Sequence, residues 1–264
     1  MRVALAQISS GHDVAANLAT ITSVARRAAT EGAELVVFPE AAMYGFGAPL
    51  APIAEPLDGP FATSVQVLAR DLGLTVVVGM FTPAPDNRVL NTLLVVSPES
   101  VDHYDKVHLF DAFGVRESET VAPGDSLRTV DVGGTTVGLA TCYDVRFPGL
   151  FVENAAAGAL VSVVCASWAS GPGKVEQWEL LVRARALDST TYVLACGQAL
   201  PLGGGTATAP TGVGHSMVVD PFGQVVARLG DDEGLLVTDL DLAVVQSARE
   251  TLPVLRNRRD LRHA

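Results

Sequence analysis

Apolar positions along this chain follow two rhythms, and the alternation between them predicts its elements. Val3–Ile8 alternates with the two-residue period of a strand, and Val14–Thr30, rich in Ala and Leu, predicts a helix with Asp13 at its N-cap. Glu34–Phe38 is a short continuous apolar run closed by Pro39, the pattern of a buried strand. Pro60–Asp71 predicts a helix and Leu74–Gly79 a second buried strand. Leu90–Val96 and Val101–Tyr104 flank Ser97-Pro98-Glu99-Ser100, a hairpin signal. Arg128–Val132 and Thr135–Thr141 flank the two-glycine turn Gly133-Gly134. A helix follows near Pro148, then a strand over Leu160–Ala166 and a helix over Val175–Leu187. Thr191–Cys196, Gly214–Val219, Val225–Leu229 and Gly234–Asp239 read as later strands. Strands and helices intermingled from end to end, with no repeat or charged linker, predict one α/β domain over residues 1–264. Hairpins among the crossovers imply a mixed sheet. The segment from Gly203-Gly204-Gly205 to Pro210 has the composition of a mobile surface loop.

Composition narrows the function classes. With 48% hydrophobic and 18% charged residues the chain can bury a sizeable core. A net charge of −11 repels phosphate backbones and anionic lipid, so neither nucleic acid nor a membrane surface is an expected partner. The uncharged stretch Asn154–Gly173 is interrupted by Ser162, Ser167, Ser170 and Gly171-Pro172-Gly173 and does not read as a membrane span. Cys142, Cys165 and Cys196 have no paired spacing, which argues against a disulfide framework and for a reducing, cytoplasmic compartment. No CxxC pair or close His/Cys cluster supplies a metal site.

Among residues able to carry chemistry, Cys142 stands where the strand Thr136–Thr141 ends, before the turn Tyr143–Pro148. A thiol there meets backbone N–H groups and a helix dipole that would lower its pKa; the competing reading is a buried structural cysteine, which we adopt for Cys165 and Cys196. Glu40 likewise follows a buried strand, as a general base or a solvated carboxylate. Lys106 could stabilise an oxyanion or lie on the surface, and Glu117 is equally ambiguous by itself. His108 reads as a hydrogen-bonded structural histidine, and none of the five histidines has a motif that pairs it with Cys142. If Cys142 is a nucleophile, a carboxylate is therefore a credible base.

Three segments cease to look independent when read together. Val36-Val37-Phe38-Pro39-Glu40, Tyr104-Asp105-Lys106-Val107-His108-Leu109-Phe110-Asp111 and Gly138-Leu139-Ala140-Thr141-Cys142-Tyr143-Asp144-Val145-Arg146-Phe147-Pro148 resemble, in order and spacing, the Glu, Lys and Cys motifs of the nitrilase superfamily. The resemblance runs over essentially the whole chain. It implies a four-layer α-β-β-α sandwich that packs its outer helices into a homodimer or higher homo-oligomer. It also implies amide hydrolysis through a thioester without metal or organic cofactor. On that pattern Cys142 is the nucleophile, Glu40 the general base, and Lys106 with the Tyr143 backbone N–H the oxyanion support. Glu117 matches the extra glutamate that positions substrate and Lys106.

Cys142–Pro148 and Gln177-Trp178-Glu179-Leu180-Leu181 look like the branch holding omega-amidases and deaminated-glutathione amidases. Gly149, the loop Ser167–Gly173 and the glycine insert depart from it and bear on substrate choice. Arg146 could clamp a remote carboxylate of a small amide, or pair structurally with a neighbouring acid. Three functions remain in view: an amidase for small carboxylate-bearing amides, an N-carbamoyl amino acid or other amide hydrolase, and a non-catalytic module on the same fold.

Overall fold

The computed structural model describes residues 1–201 and 209–259; the insert at Gly203–Gly205 lies outside them. In chain order the elements begin with β1 (Arg2–Gln7), α1 (Val14–Thr30), β2 (Leu35–Val37), α2 (Pro60–Leu72), β3 (Thr75–Pro83), β4 (Val89–Val96) and β5 (Val101–Asp105). Short strands β6 (Asp111–Ala112), β7 (Val115–Arg116) and β8 (Val121–Ala122) follow. The second half holds β9 (Thr129–Val132), β10 (Thr135–Thr141), α3 (Pro148–Ala156), β11 (Val161–Ala166), α4 (Lys174–Ser189) and β12 (Tyr192–Gly197). It closes with β13 (Met217–Val219), β14 (Val225–Arg228), β15 (Gly234–Asp239), α5 (Ala243–Thr251) and α6 (Val254–Asn257).

These strands build two large mixed sheets, in the orders β15-β1-β2-β3-β4-β5 and β14-β13-β12-β11-β10-β9, with β8 added beside β4. The central trios β1-β2-β3 and β10-β11-β12 are parallel, and their flanking strands are antiparallel. The two-residue period explains the layering. Val3 and Leu5 of β1 and Val163 and Cys165 of β11 point into one core between the sheets. The alternate residues, Ala4 and Ala6, pack outward against Ile21 and Ala25 of α1 and Phe61 and Val65 of α2. On the far side, Val164 and Ala166 pack against Phe151 of α3 and Trp178 and Val182 of α4. The result is helix, sheet, sheet, helix.

Most expected elements stand within one or two residues of their sequence limits, including the Asp13 cap, whose carboxylate accepts the Ala15 and Ala16 N–H groups. Two strand limits need correction. β3 continues beyond Gly79 to Pro83 because β4 pairs with it over that whole length. β13 starts at Met217, not Gly214, because Gly214 and His215 have φ of +71° and +55° and cannot extend a ladder.

Candidate active site

The carboxyl ends of β2 and β10, strands in opposite sheets, bring Glu40 and Cys142 together. Glu40 sits two residues past Phe38, whose N–H still bonds the Val77 carbonyl at 2.7 Å, and Ala41 then turns through φ +58°. That turn presses on β3: a Cβ on Gly79 would lie 2.6 Å from the Ala41 nitrogen, so only glycine admits it. Glu40 is 1% exposed. Its Oε1 accepts from Lys106 Nζ at 3.0 Å and Asn91 Nδ2 at 2.8 Å, and its Oε2 from the Ser167 N–H at 2.7 Å.

Lys106 follows β5 and is 2% exposed. Its backbone is pinned on both sides, N–H to the Asn91 carbonyl and carbonyl to the Gly124 N–H. Its ammonium reaches both oxygens of Glu117, at 3.0 and 2.9 Å, as well as Glu40. Burial works against that charge, but Glu40, Glu117 and Cys142 together hold the ammonium well above the usual lysine range. Glu117 is further fixed by the Phe110 N–H at 2.6 Å.

Cys142 has φ +46°, rare for a residue with a side chain, at the start of a 3-10 turn over Cys142–Arg146. Its thiol stands within the electrostatic reach of Glu40, Lys106 and Glu117. The expected lowering of its pKa is overturned. Burial first, and the Glu40 carboxylate second, push the thiol well up, and Lys106 only partly offsets them. Burial and the Glu40 charge thus favour the neutral form of the thiol. Tyr143 comes next, and as a leading N–H of the turn its amide has no partner within it.

Asp144, fully buried, fastens this turn to the Lys106 segment. Its Oδ2 accepts from the Thr141 N–H at 2.8 Å and Tyr104 hydroxyl at 2.7 Å; its Oδ1 accepts the His108 N–H at 3.0 Å and lies 2.7 Å from His108 Nδ1. His108 also stacks on Phe147, 3.6 Å between ring centroids. This is the structural role expected for it. Removing one partner from such a buried network costs about 3–5 kcal/mol, and a shift of about 1 Å in a reacting group costs about 10²-fold in rate. Asp144→Asn should therefore melt markedly earlier and lose turnover on that scale. Near-wild-type melting and ammonia release would show that the clasp is dispensable.

Arg146 donates to Gln177 Oε1 at 2.9 Å and lies 5.2 Å from the Trp168 ring centroid. It has no Asp or Glu partner among the described residues, so structural ion pairing does not account for it. Glu40, Lys106, Glu117, Cys142 and Arg146 line one cavity of about 420 Å³, walled by aromatic and aliphatic side chains such as Phe46, Leu50 and Phe110. Ala209 and Pro210, just after the glycine insert, also line it.

Asn91, the Ser167 N–H and Asp144 escaped the sequence reading. Asn91 left a trace as the polar interruption of the apolar run Val89–Val96. Cys165 and Cys196 are fully buried in the core, as expected. Among the described residues no cluster of His, Cys, Asp and Glu is placed to share a metal ion, and no helix is long and apolar enough to cross a membrane.

A family model described as carbon-nitrogen hydrolase matches residues 2–250. The chain belongs to the carbon–nitrogen hydrolases of the nitrilase superfamily. Its relatives agree with that membership. A hydrolase of Mycobacterium tuberculosis is 54% identical, covering 98% of this chain and 96% of its own. The human omega-amidase is 32% identical, over 98% of this chain and 95% of its own. Among solved structures, the nitrilase-superfamily protein Nit3 of Saccharomyces cerevisiae superposes with a TM-score of 0.85 at 30% identity, covering 96% of this chain and 94% of its own. An amidase from Nesterenkonia gives a TM-score of 0.79 at 29% identity, over 97% and 99% of the two chains. That structure, of a glutamate-to-glutamine mutant, shows acrylamide added to its active-site cysteine. This carbon–nitrogen hydrolase is thus an enzyme with amidase relatives and the expected α-β-β-α fold.

Proposed function

We propose that this hydrolase cleaves the C–N bond of a small, carboxylate-bearing amide to an acid and ammonia, through a thioester on Cys142. The observation that carries the reading is the meeting of a neutral thiol, a buried carboxylate and a buried ammonium at one cavity wall. As the Cys142 sulfur attacks the amide carbonyl, its proton passes to Glu40. The developing oxyanion is met by Lys106 Nζ and the Tyr143 N–H. Glu40 then returns the proton to the departing nitrogen, leaving the thioester and ammonia. Water, giving a proton to Glu40, attacks the thioester, and collapse releases the acid and restores the thiol. Glu117 holds Lys106 throughout, and Lys106 in turn keeps two carboxylates compatible in one buried site. Donors of this kind fixed before the reaction begins need no reorganisation when charge develops.

Arg146, without an acidic partner, is the group we assign to the substrate's remote carboxylate. Losing a charge-assisted contact of this type costs roughly 2–5 kcal/mol, whereas a methylene is worth roughly 1–3 kcal/mol. Ammonia release from succinamate should therefore far exceed that from butyramide, and Arg146→Met should erase most of the difference. Preference for butyramide, or an unchanged preference in the variant, would remove Arg146 from substrate binding. Faster cleavage of an N-carbamoyl amino acid than of either amide would favour the carbamoyl-hydrolase reading.

We also infer a cytoplasmic protein that self-associates. Three free cysteines support a reducing compartment. Leu180 and Leu187, seven residues apart and exposed on one face of α4, support association through the outer helices.

A further inference from the structure

Two side chains hold one oxygen of Glu40, but a backbone amide holds the other. Oε1 takes Lys106 and Asn91, whereas Oε2 takes the Ser167 N–H at 2.7 Å. Ser167 is the first residue past β11, whose ladder with β12 ends at Ala166 and Gly197. Beyond that end, strand pairing no longer fixes the direction of the amide, and another tie is needed. The Ser167 hydroxyl supplies it, donating to the Pro210 carbonyl at 2.6 Å. Proline has no N–H, so that carbonyl is the only backbone handle Pro210 offers. Ser167 is buried, which shields both of its bonds from competing water.

The far end of this tie is anchored as well. After Pro210 the chain runs back over Gln198, where the Gly214 N–H donates to the Gln198 carbonyl at 2.9 Å. A Cβ on Gly212, which has φ +110°, would stand 2.4 Å from the same carbonyl oxygen, so only glycine lies this close. Gln198 is buried, and its side-chain amide donates to the Glu40 backbone carbonyl at 3.0 Å and to Ser10 Oγ at 2.9 Å. Segment 210–214 therefore reaches Glu40 along two routes, to its carboxylate through Ser167 and to its backbone through Gln198. Glu40 stands just before the left-handed Ala41, a conformation that persists only when its surroundings hold it.

We propose that Ser167 is a positioning residue for Glu40: its hydroxyl, tied to segment 210–214, fixes the amide that aims the carboxylate at the Cys142 proton. This rests on the reading of Glu40 as the general base, and amide exchange and turnover separate the two. A displacement of about 1 Å at a reacting group costs about 10²-fold, so Ser167→Ala should lower kcat for succinamate by at least about tenfold, with KM held within about threefold. Ser167→Thr, which keeps a hydroxyl, should recover most of that rate. In a Glu40→Gln background the same alanine change should cost less than about twofold, because no base remains to be aimed. An unchanged kcat, a loss confined to KM, or an equal loss in both backgrounds overturns the proposal. The exchange protection of amide 167, read by nuclear magnetic resonance, needs no turnover and should fall at least about tenfold in Ser167→Ala. Unchanged protection overturns the proposal too. A wild type that releases no ammonia from succinamate or butyramide would overturn the amidase reading, while the protection still decides whether the hydroxyl holds the amide on Glu40.

Discussion

Cys142→Ser is expected to fold like the wild type and to lose ammonia release by at least about 10⁴-fold, the scale on which deleting a nucleophile acts in acyl-transfer enzymes. The reason lies in the proton that Glu40 must take. Even the raised thiol of Cys142 gives up its proton more readily than a serine hydroxyl held beside the same carboxylate, and sulfur is the stronger nucleophile. Little else changes, because the unusual backbone at φ +46° is set by the turn and the Asp144 clasp, not by the side chain. A stability change of about 1 kcal/mol would move the melting temperature by roughly 2–4 °C in a chain of this size. Substantial activity in the serine variant would take the nucleophile away from Cys142. Cys165 and Cys196 are poor replacements, since both are fully buried between the sheets with thiols pushed up by burial.

The second large effect is expected from Glu40→Gln, a loss of about 10²–10⁴-fold from removal of a general base. The amide cannot replace the carboxylate without conflict. With Oε1 kept toward Lys106 and Asn91, its nitrogen faces the Ser167 N–H, donor against donor, at a cost of about 1–3 kcal/mol. A distinctive sign accompanies the lost rate. After burial, Glu40 is the largest influence raising the Cys142 pKa, and Lys106 lowers it. With the carboxylate gone, the thiol should ionise at lower pH than in the wild type, which ultraviolet titration of the thiolate can follow. The variant would combine a more acidic cysteine with a slower enzyme. Activity within threefold of wild type would return attention to the histidines.

Much of this arrangement was legible in the sequence because strands advertise themselves by composition. β1, β2 and β11 are dense with β-branched and small apolar residues, and a polar or reactive residue just past such a run is displayed at a strand end. Glu40 and Cys142 were visible in that way as strand-end residues, but their roles, like that of Lys106, were readable only through the resemblance of the three motifs. Convergence was not, since β2 and β10 belong to different sheets and meet only across the shared core that holds Leu35, Val37, Val137 and Leu139. The sign of the thiol shift was misread for the same reason: turn geometry is local, whereas Glu40 lies 102 positions away in the chain. Asp144 looked like an ordinary turn residue until Tyr104 and His108 were seen donating to it. The hairpin of β6 and β7 was missed because its strands are two residues long and turn on Phe113-Gly114, a pair lacking the usual Asn or Asp.

Partitioning by hydroxylamine tests the thioester directly. An acyl-enzyme on Cys142 can be intercepted by any small nucleophile that competes with water after ammonia has left. With succinamate as substrate, rising hydroxylamine should convert the product from succinate to the hydroxamate without slowing ammonia release. Ammonia should equal the sum of the two acyl products, and Cys142→Ser should yield neither. Ammonia matched by succinate alone at every hydroxylamine concentration would mean that water attacks the amide directly, and no covalent intermediate on Cys142 would remain in the account.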